Sequence, residues 1–382
     1  MRVAFYAPLK PPSHPVPSGD RRMARLLMAA LDRAGHDVEL ASRLRTFDPT
    51  GDPQRQLEIA EICRAQVPRI LRRFQNRPAK EQPAAWITYH LYYKAPDWFG
   101  PRIADALSIP YVVIEASHAG KRAGGNWSLG HDAAAAAIRR ADAVLLPNPE
   151  DAECIRPLMT DPSRLVSMPP FLDLEPYQNA AIDRMAHRRT LAHTHDLDPY
   201  QAWLLAVAMM RPGDKLESYR TLDRALRRIS HLPWHLVVVG DGPERETVER
   251  MLGGIGPNRV SFAGALSEQR LAGYYAACDV FVWPAISEAY GMALLEAQAS
   301  GLPAIAGNSA GVAGIVDSGT TGLLTPAGDD EAFARALSGL LAHPERRDGM
   351  RKAALDKTGE KHGLSRAARL LDGVLTKLTG PA

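Results

Sequence analysis

Ser287-Glu288-Ala289-Tyr290-Gly291-Met292-Ala293-Leu294-Leu295-Glu296-Ala297 is the stretch on which the fold turns. It follows the apolar run 280–283, which has strand length, and leads into a helical segment ending near Ser300-Gly301. Gly301-Leu302-Pro303-Ala304-Ile305-Ala306 then resumes as a strand. Strand, loop, helix and strand form a βαβ unit, which implies a parallel sheet. Glu288 falls in the loop at the first strand's carboxyl end, and Glu296 about one and a half turns into the helix. Gly291 lets the N–H groups at the helix start approach a ligand, and a helix N-terminus is a ready site for a diphosphate. Carboxylates beside it suit sugar hydroxyls better than phosphate. Two glutamates at this spacing are by themselves better explained by a solvated loop and a helix surface. The crowding of Glu296 by Ala293, Leu294, Leu295 and Ala297 argues against that.

The same alternation runs outward in both directions. Residues 2–9 read as a buried strand, followed by a loop with Pro11, Pro12, Pro15 and Pro17 that ends in Ser18-Gly19-Asp20. Met23, Leu26, Leu27, Ala30 and Leu31 then recur at helical spacing until Gly35, and 37–42 is again a strand. Further strands are expected at 86–90, 111–114 and 143–146. After Pro169-Pro170 and a polar connector at 187–198, a second series opens with strands at 203–208, 235–239, 260–262, 280–283, 303–306 and 323–324. Two α/β series predict two doubly wound domains, 1–175 and 176–362, followed by a C-terminal helix within 363–382. Open α/β sheets bind ligands outside the carboxyl ends of their strands, so two facing domains would enclose a cleft suited to two substrates.

Composition narrows the class further. The 382 residues are 46% apolar and 23% charged, which is ordinary for a globular protein. A net charge of +3 demands no nucleic acid partner. Three distant cysteines without a Cys-x-x-Cys pair exclude a disulfide framework and a cysteine zinc site, and fit a reducing compartment. No apolar run approaches the ~18 residues of a membrane span, so a soluble cytoplasmic protein is expected. Residues 57–80 form a basic amphipathic segment, with Arg64, Arg69, Arg72, Arg73, Arg77 and Lys80 among Ile59, Ile62, Val67, Ile70, Leu71 and Phe74. It leaves a peripheral membrane contact open, although such helices more often pack on their own sheet. Residues 11–19 lack the Gly-x-Gly-x-x-Gly that a nicotinamide enzyme would need after its first strand. No metal site is expected, since Asp196-Leu197-Asp198 lies in the connector and Asp329-Asp330 reads as a helix cap.

Glu288, seven residues and Glu296, with Tyr290-Gly291 inside and Ala-x-Ala-x-Gly-x-Pro after it, resemble the donor-binding signature of family 4 glycosyltransferases. These are retaining enzymes of the GT-B fold, two Rossmann-like domains facing across a cleft. The resemblance extends to Val238-Val239-Gly240-Asp241-Gly242-Pro243-Glu244 and to Gly319-Thr320-Thr321-Gly322-Leu323-Leu324. Val260-Ser261-Phe262-Ala263-Gly264-Ala265-Leu266 is similar to the family's segment that holds the nucleobase.

By that resemblance Glu296 would accept hydrogen bonds from the ribose and Glu288 from the donor sugar. Tyr290, Gly291 and Met292 would lie against the sugar and distal phosphate, Gly264, Ala265 and Leu266 against the base, and Gly19 against the diphosphate. Arg211 and Lys215 would neutralise the departing diphosphate. His118 would touch the donor sugar near the reacting carbon, with His90 as a second candidate. The stretch Lys121, Arg122, Gly124, Gly125, Asn126 and Trp127 would be an acceptor-side lid or a surface loop. Four departures from the family pattern stand out. Arg211 lies closer to Lys215 than usual, and Leu216 stands where Gly is common. Pro169-Pro170-Phe171-Leu172-Asp173 replaces a Pro-Asn-Gly-x-Asp, and Val312-Ala313-Gly314 replaces an x-Pro-Glu at the edge of the donor pocket.

The implied activity is metal-independent transfer of a hexosyl group, with retention, from a UDP- or GDP-sugar to a hydroxyl. The acceptor would be a sugar, a lipid-linked sugar or a small molecule, in polysaccharide, glycolipid or glycoconjugate biosynthesis. No carboxylate is placed as a covalent nucleophile, so a front-face mechanism is expected. A non-catalytic nucleotide-sugar-binding protein of the same fold is the alternative. In such a fold the last helix, with Ala368, Leu371, Val374, Leu375 and Leu378 at helical spacing, would cross back to brace the first domain.

Overall fold

Val3, Ala4, Phe5 and Tyr6 have no exposed surface, the mark of a strand covered on both faces. They lie in β1 (Arg2–Tyr6), the first element of a computed structural model that describes residues 1–16, 18–288 and 290–380. Pro17 of the proline-rich loop and Ala289 of the glutamate stretch lie outside the described residues.

The first unit continues with α1 (Gly19–Arg33), β2 (Asp37–Leu40), α2 (Pro53–Gln75), β3 (Ala85–Leu91), α3 (Gly100–Leu107), β4 (Tyr111–Ala116), α4 (Ser128–Arg140), β5 (Ala143–Leu146), α5 (Asp151–Ile155) and β6 (Leu165–Ser167). Its six strands are parallel in the order β2-β1-β3-β4-β5-β6. The second unit contains α6 (Glu175–Ile182), α7 (Arg184–His195), β7 (Ala202–Val207), α8 (Asp214–Arg228), β8 (Trp234–Val239), α9 (Arg245–Gly253), β9 (Val260–Gly264), α10 (Glu268–Ala277), β10 (Val280–Trp283), α11 (Met292–Ala299), β11 (Ala304–Gly307), α12 (Ala310–Ala313), β12 (Gly322–Thr325), α13 (Asp330–Leu341) and α14 (Pro344–Lys361). Its strands are also parallel, ordered β12-β11-β10-β7-β8-β9. Trp203, Trp234 and Trp283 are buried in its core, and Trp86, Tyr6, Phe99 and Tyr111 in that of the first unit.

The chain changes unit at Pro169/Pro170 and returns at Leu364, rather than at 175/176 and 362/363. Residues 170–175 belong to the second unit because they are fastened to its end. The Leu172 N–H donates to the His362 carbonyl at 3.0 Å, and His362 Nδ1 donates to the Pro170 carbonyl at 2.6 Å. The last helix, α15 (Leu364–Thr379), packs along α1 in the first unit and buries Ala367, Ala368, Leu371 and Leu375.

The polar stretch 187–198 is not an irregular connector. Most of it is α7, seated by ion pairs from Arg184 (2.7 Å) and Arg188 (3.0 Å) to Asp279, with the Arg188 guanidinium 3.8 Å from the Trp203 ring centroid. A helix whose contacts are ionic leaves little apolar periodicity to read. In the basic segment, α2 turns Cys63, Ile70 and Phe74 inward, while Arg73 and Arg77 pair with Glu39 of β2. Among the described residues, no helix is long and apolar enough to cross a membrane.

Candidate active site

In the second sheet the connections leave β7 and β10 in opposite directions, which makes their carboxyl ends the topological switch point. The loop after β7 carries Arg211 and leads into α8, whose second residue is Lys215. The loop after β10 carries Glu288. The two loops meet in an ion pair, Lys215 Nζ to Glu288 Oε2 at 2.5 Å, with side chains 17% and 19% exposed. Trp283 Nε1 donates to the same carboxylate oxygen at 3.4 Å, and Lys215 Nζ stands 5.3 Å from the Trp283 ring centroid. The Ile286 N–H donates to Ser218 Oγ at 3.2 Å and holds the β10 loop against α8.

Gly291 caps α11 at φ 67°, and a Cβ there would stand 2.9 Å from the Ile315 side chain and 3.2 Å from the Gly311 carbonyl. Only glycine fits this turn. Met292, the first residue of α11, stands four positions beyond Glu288, the partner of Lys215. Tyr290 and Met292 are half-buried at the same turn. Glu296 is only 3% exposed and accepts a 2.8 Å hydrogen bond from the hydroxyl of Tyr275, which lies in α10. At the end of β9, Gly264 has φ 69°, Ala265 is exposed and Leu266 half-buried.

Arg211 stands apart. Its side chain is exposed and pairs with no other described residue. Leu216 is buried in α8, so the position where the family commonly has Gly is filled here by a core residue.

The first sheet has its switch point between β1 and β3. His90, near the end of β3, reaches Asp20 of α1, Nδ1 to Oδ1 at 3.0 Å, and Glu115 of β4 at 3.4 Å. His90 and Glu115 both have φ 61°, a left-handed conformation that side chains rarely adopt and that costs backbone strain. Burial alone would lower the His90 pKa. The charges of Glu115, Asp20 and Asp151, with the Asp20 hydrogen bond, outweigh burial and raise it to about 9. Burial raises Glu115, and burial with the Glu115 charge lifts Asp151 to about 6. On Asp20 burial is overcome by the hydrogen bond and charge of His90, so its carboxyl sits below its ordinary range.

His118 is elsewhere. It stacks on His131 of α4 with ring centroids 4.3 Å apart, its Nε2 buried without a partner. Burial, then the neighbouring His131 and Arg139, lower its pKa. Gly19 is the first residue of α1, and a Cβ there would meet nothing within 4 Å. The basic glycine-containing loop is fastened by aromatic contacts, with the Arg122 guanidinium 5.3 Å from the Tyr93 ring centroid and 5.1 Å from that of Trp127.

Sequence reasoning missed Trp283, Asp20, Glu115 and Asp151, and ranked His90 below His118. The signal was available only for His90, a histidine at a strand's carboxyl end. The acidic pairs set aside as metal sites have other partners. Asp329 caps α13 by accepting from the Ala332 N–H at 2.8 Å, and Asp330 pairs with Arg224 and Arg228. Asp198 accepts from the Tyr200 N–H at 2.9 Å.

Residues 202–343, inside the second unit, match the family model described as glycosyl transferases group 1. The chain is 27% identical over 243 residues to an alpha-D-kanosaminyltransferase of Streptomyces kanamyceticus, across 63% of this chain and 62% of that protein. The second unit thus resembles the group 1 glycosyltransferases. The chain is also 33% identical over 208 residues to a D-inositol 3-phosphate glycosyltransferase of Rhodococcus opacus, across 52% of this chain and 44% of that protein. The matches thus span about half the length of these curated relatives. The structure of HepE from Anabaena in complex with UDP-glucose superposes with a TM-score of 0.71 at 14% identity, covering 99% of this chain and 100% of that one. The two parallel six-stranded sheets are those of the GT-B fold.

Proposed function

We propose that the protein is a retaining glycosyltransferase that moves a hexosyl group from a UDP- or GDP-sugar to an acceptor hydroxyl. The observation that carries this is the Lys215–Glu288 pair beside the glycine-capped N-terminus of α11. Such an arrangement offers a diphosphate a helix dipole, free N–H groups and an ammonium, and offers a sugar hydroxyl a carboxylate. Glu296, in α11 and tied to Tyr275 of α10, serves the ribose. Gly264, Ala265 and Leu266 serve the base, and Tyr290, Gly291 and Met292 the sugar and distal phosphate. Gly19 and His118 are assigned to the diphosphate and the sugar on motif alone.

The anomeric carbon's bond to the diphosphate oxygen breaks while the acceptor oxygen bonds to the same face of the sugar. The acceptor proton passes to the leaving phosphate oxygen, so no protein carboxylate has to act as nucleophile. Lys215 and Arg211 stabilise the negative charge that grows on the diphosphate. No metal is required for that step when fixed cations meet the charge. The acceptor is a sugar, a lipid-linked sugar or a small molecule.

The test is thermal shift with UDP, GDP, ADP and NAD on the wild type and on Glu296→Ala, followed by release of diphosphate from the matching sugar nucleotide. A ligand that binds only the folded state raises the midpoint. A shift with UDP or GDP that disappears in the variant, with measurable turnover, supports the reading. Binding without turnover would make the protein a nucleotide-sugar sensor, and no shift with any nucleotide would overturn the site.

A further inference from the structure

The carboxyl ends of β7, β8 and β9 carry an arrangement that phosphate and ribose binding leave unused. Gly240 and Gly242 pass so close to the carbonyl oxygens of Ala208 and Met210 that neither has room for a Cβ. The Gly240 N–H donates to the Gly264 carbonyl at 2.9 Å. Between Phe262, opposite Val238, and Gly264, opposite Val239, the register shifts and Ala263 is the extra residue of a bulge. Bulges beside binding sites re-aim the chain. The result is a floor of bare backbone that ends at Ala265 and Leu266.

Arg245, the first residue of α9, stands over that floor. Its Nε donates to Glu249 Oε1 at 2.7 Å and its Nη1 to Asp241 Oδ2 at 3.2 Å. Asp241 Oδ1 in turn accepts from the Gly242 N–H at 2.7 Å. The Nη1 atom is 3.8 Å from where a Cβ on Gly264 would sit. A guanidinium has five N–H donors, and these bonds use two of them. The rest have no partner among the described residues, and the side chain is 40% exposed. Two carboxylates therefore fix a planar cation at the rim of an open glycine floor, with donors to spare.

We propose that Arg245 reads the donor's nucleobase and selects bases with a keto oxygen on the edge it faces, uracil or guanine, over the amino bases adenine and cytosine. This rests on the donor site proposed above. From the α11 N-terminus beside β10 to the end of β9 is three interstrand steps, about 14 Å at ~4.8 Å each, a distance an extended nucleoside diphosphate spans. The Tyr275–Glu296 bond joins α11 to α10, the helix that follows Leu266. A keto oxygen accepts from the free guanidinium N–H groups. An amino group would set donor against donor and forfeit that bond.

The experiment measures dissociation constants for UDP, GDP, ADP and CDP by calorimetry on the wild type, Arg245→Ala and Glu296→Ala. Arg245 makes only exposed ion pairs, whose loss a fold tolerates, so the variant is expected to fold. The wild type should bind UDP or GDP at least about tenfold tighter than ADP and CDP, and Arg245→Ala should lose most of that ratio while binding ADP and CDP as before. The UDP and GDP arms identify which keto base is read. An unchanged ratio in the variant, an equal loss for all four (the signature of a phosphate ligand), or a wild type without preference would each overturn the role of Arg245. The donor site itself would survive any of these if Glu296→Ala still abolished binding. A wild type that binds none of the four would overturn both.

Discussion

Lys215 and Glu288 are 73 positions apart in the chain, yet Nζ and Oε2 lie 2.5 Å apart, each side chain more than four-fifths buried. They join the two loops at the switch point of the second sheet. In the first sheet His90 and Asp20, 70 positions apart, make the corresponding connection at 3.0 Å. Both units thus bind the diverging loops of their switch points with an ion pair. In the second unit this fixes an ammonium in place, and in the proposed reaction such a preorganised charge would leave little reorganisation when the diphosphate departs.

Replacing Lys215 with Ala removes that preorganised charge. Turnover should fall by about 10²–10³-fold, the range measured for loss of one electrostatic donor. Glu288 keeps Trp283 Nε1 and some solvent contact, so the melting temperature should move by only a few degrees. Steady-state kinetics beside a thermal melt decide it, and an unaltered kcat would remove Lys215 from the mechanism.

Gly19 offers a sharper contrast. Its Cβ position is empty, so Gly19→Ala should leave the melting temperature level or slightly raised. If a diphosphate approaches this backbone, KM for the sugar nucleotide should rise several-fold all the same. Equal KM values for the two proteins would show Gly19 to be an ordinary helix start.

The His90 cluster makes stability depend on pH. Its folded pKa of about 9 exceeds the ~6.5 of an unfolded histidine. The stability gained from its charge is therefore complete below pH ~6.5 and is lost as pH rises through about 9. Asp151, at about 6, titrates below that window. The urea midpoint should decline from pH 6.5 to 9 in the wild type and decline less in His90→Asn, a residue that tolerates the left-handed backbone. Parallel pH profiles would refute the assignment.

Leu371 is 1% exposed in α15, the helix that packs on α1. Leu371→Ala should cost about 2–5 kcal/mol. Truncation after Gly363 should leave the first unit open to proteolysis, and the cleavage pattern on a gel reads this directly. A truncated chain that is equally resistant would mean that α1 does not depend on α15.

All strands but β6 were legible, most of them as apolar runs of strand length between turn residues, which parallel sheets buried on both faces require, whereas Leu165-Val166-Ser167 at the sheet edge is short and only partly buried. Helix α7 was not, since Arg184, Arg188 and Asp279 hold it in place of an apolar stripe. The unit boundary lay a few residues from the expected one because the Leu172 N–H bonds the distant His362 carbonyl and Leu172 bridges to Gly363.

By itself the sequence determined two α/β series, a glycine-capped helix after β10, and the residue types available at its mouth. Backbone conformation and burial follow local spacing, so these could be read in order. Only the tertiary structure decided which charges meet. It paired Lys215 with Glu288, gave Glu296 to Tyr275, placed His90 rather than His118 among the carboxylates, and left Arg211 without a partner among the described residues. Those pairings depend on which strands become neighbours, and β7 lies beside β10 only because the chain crosses over the sheet between them.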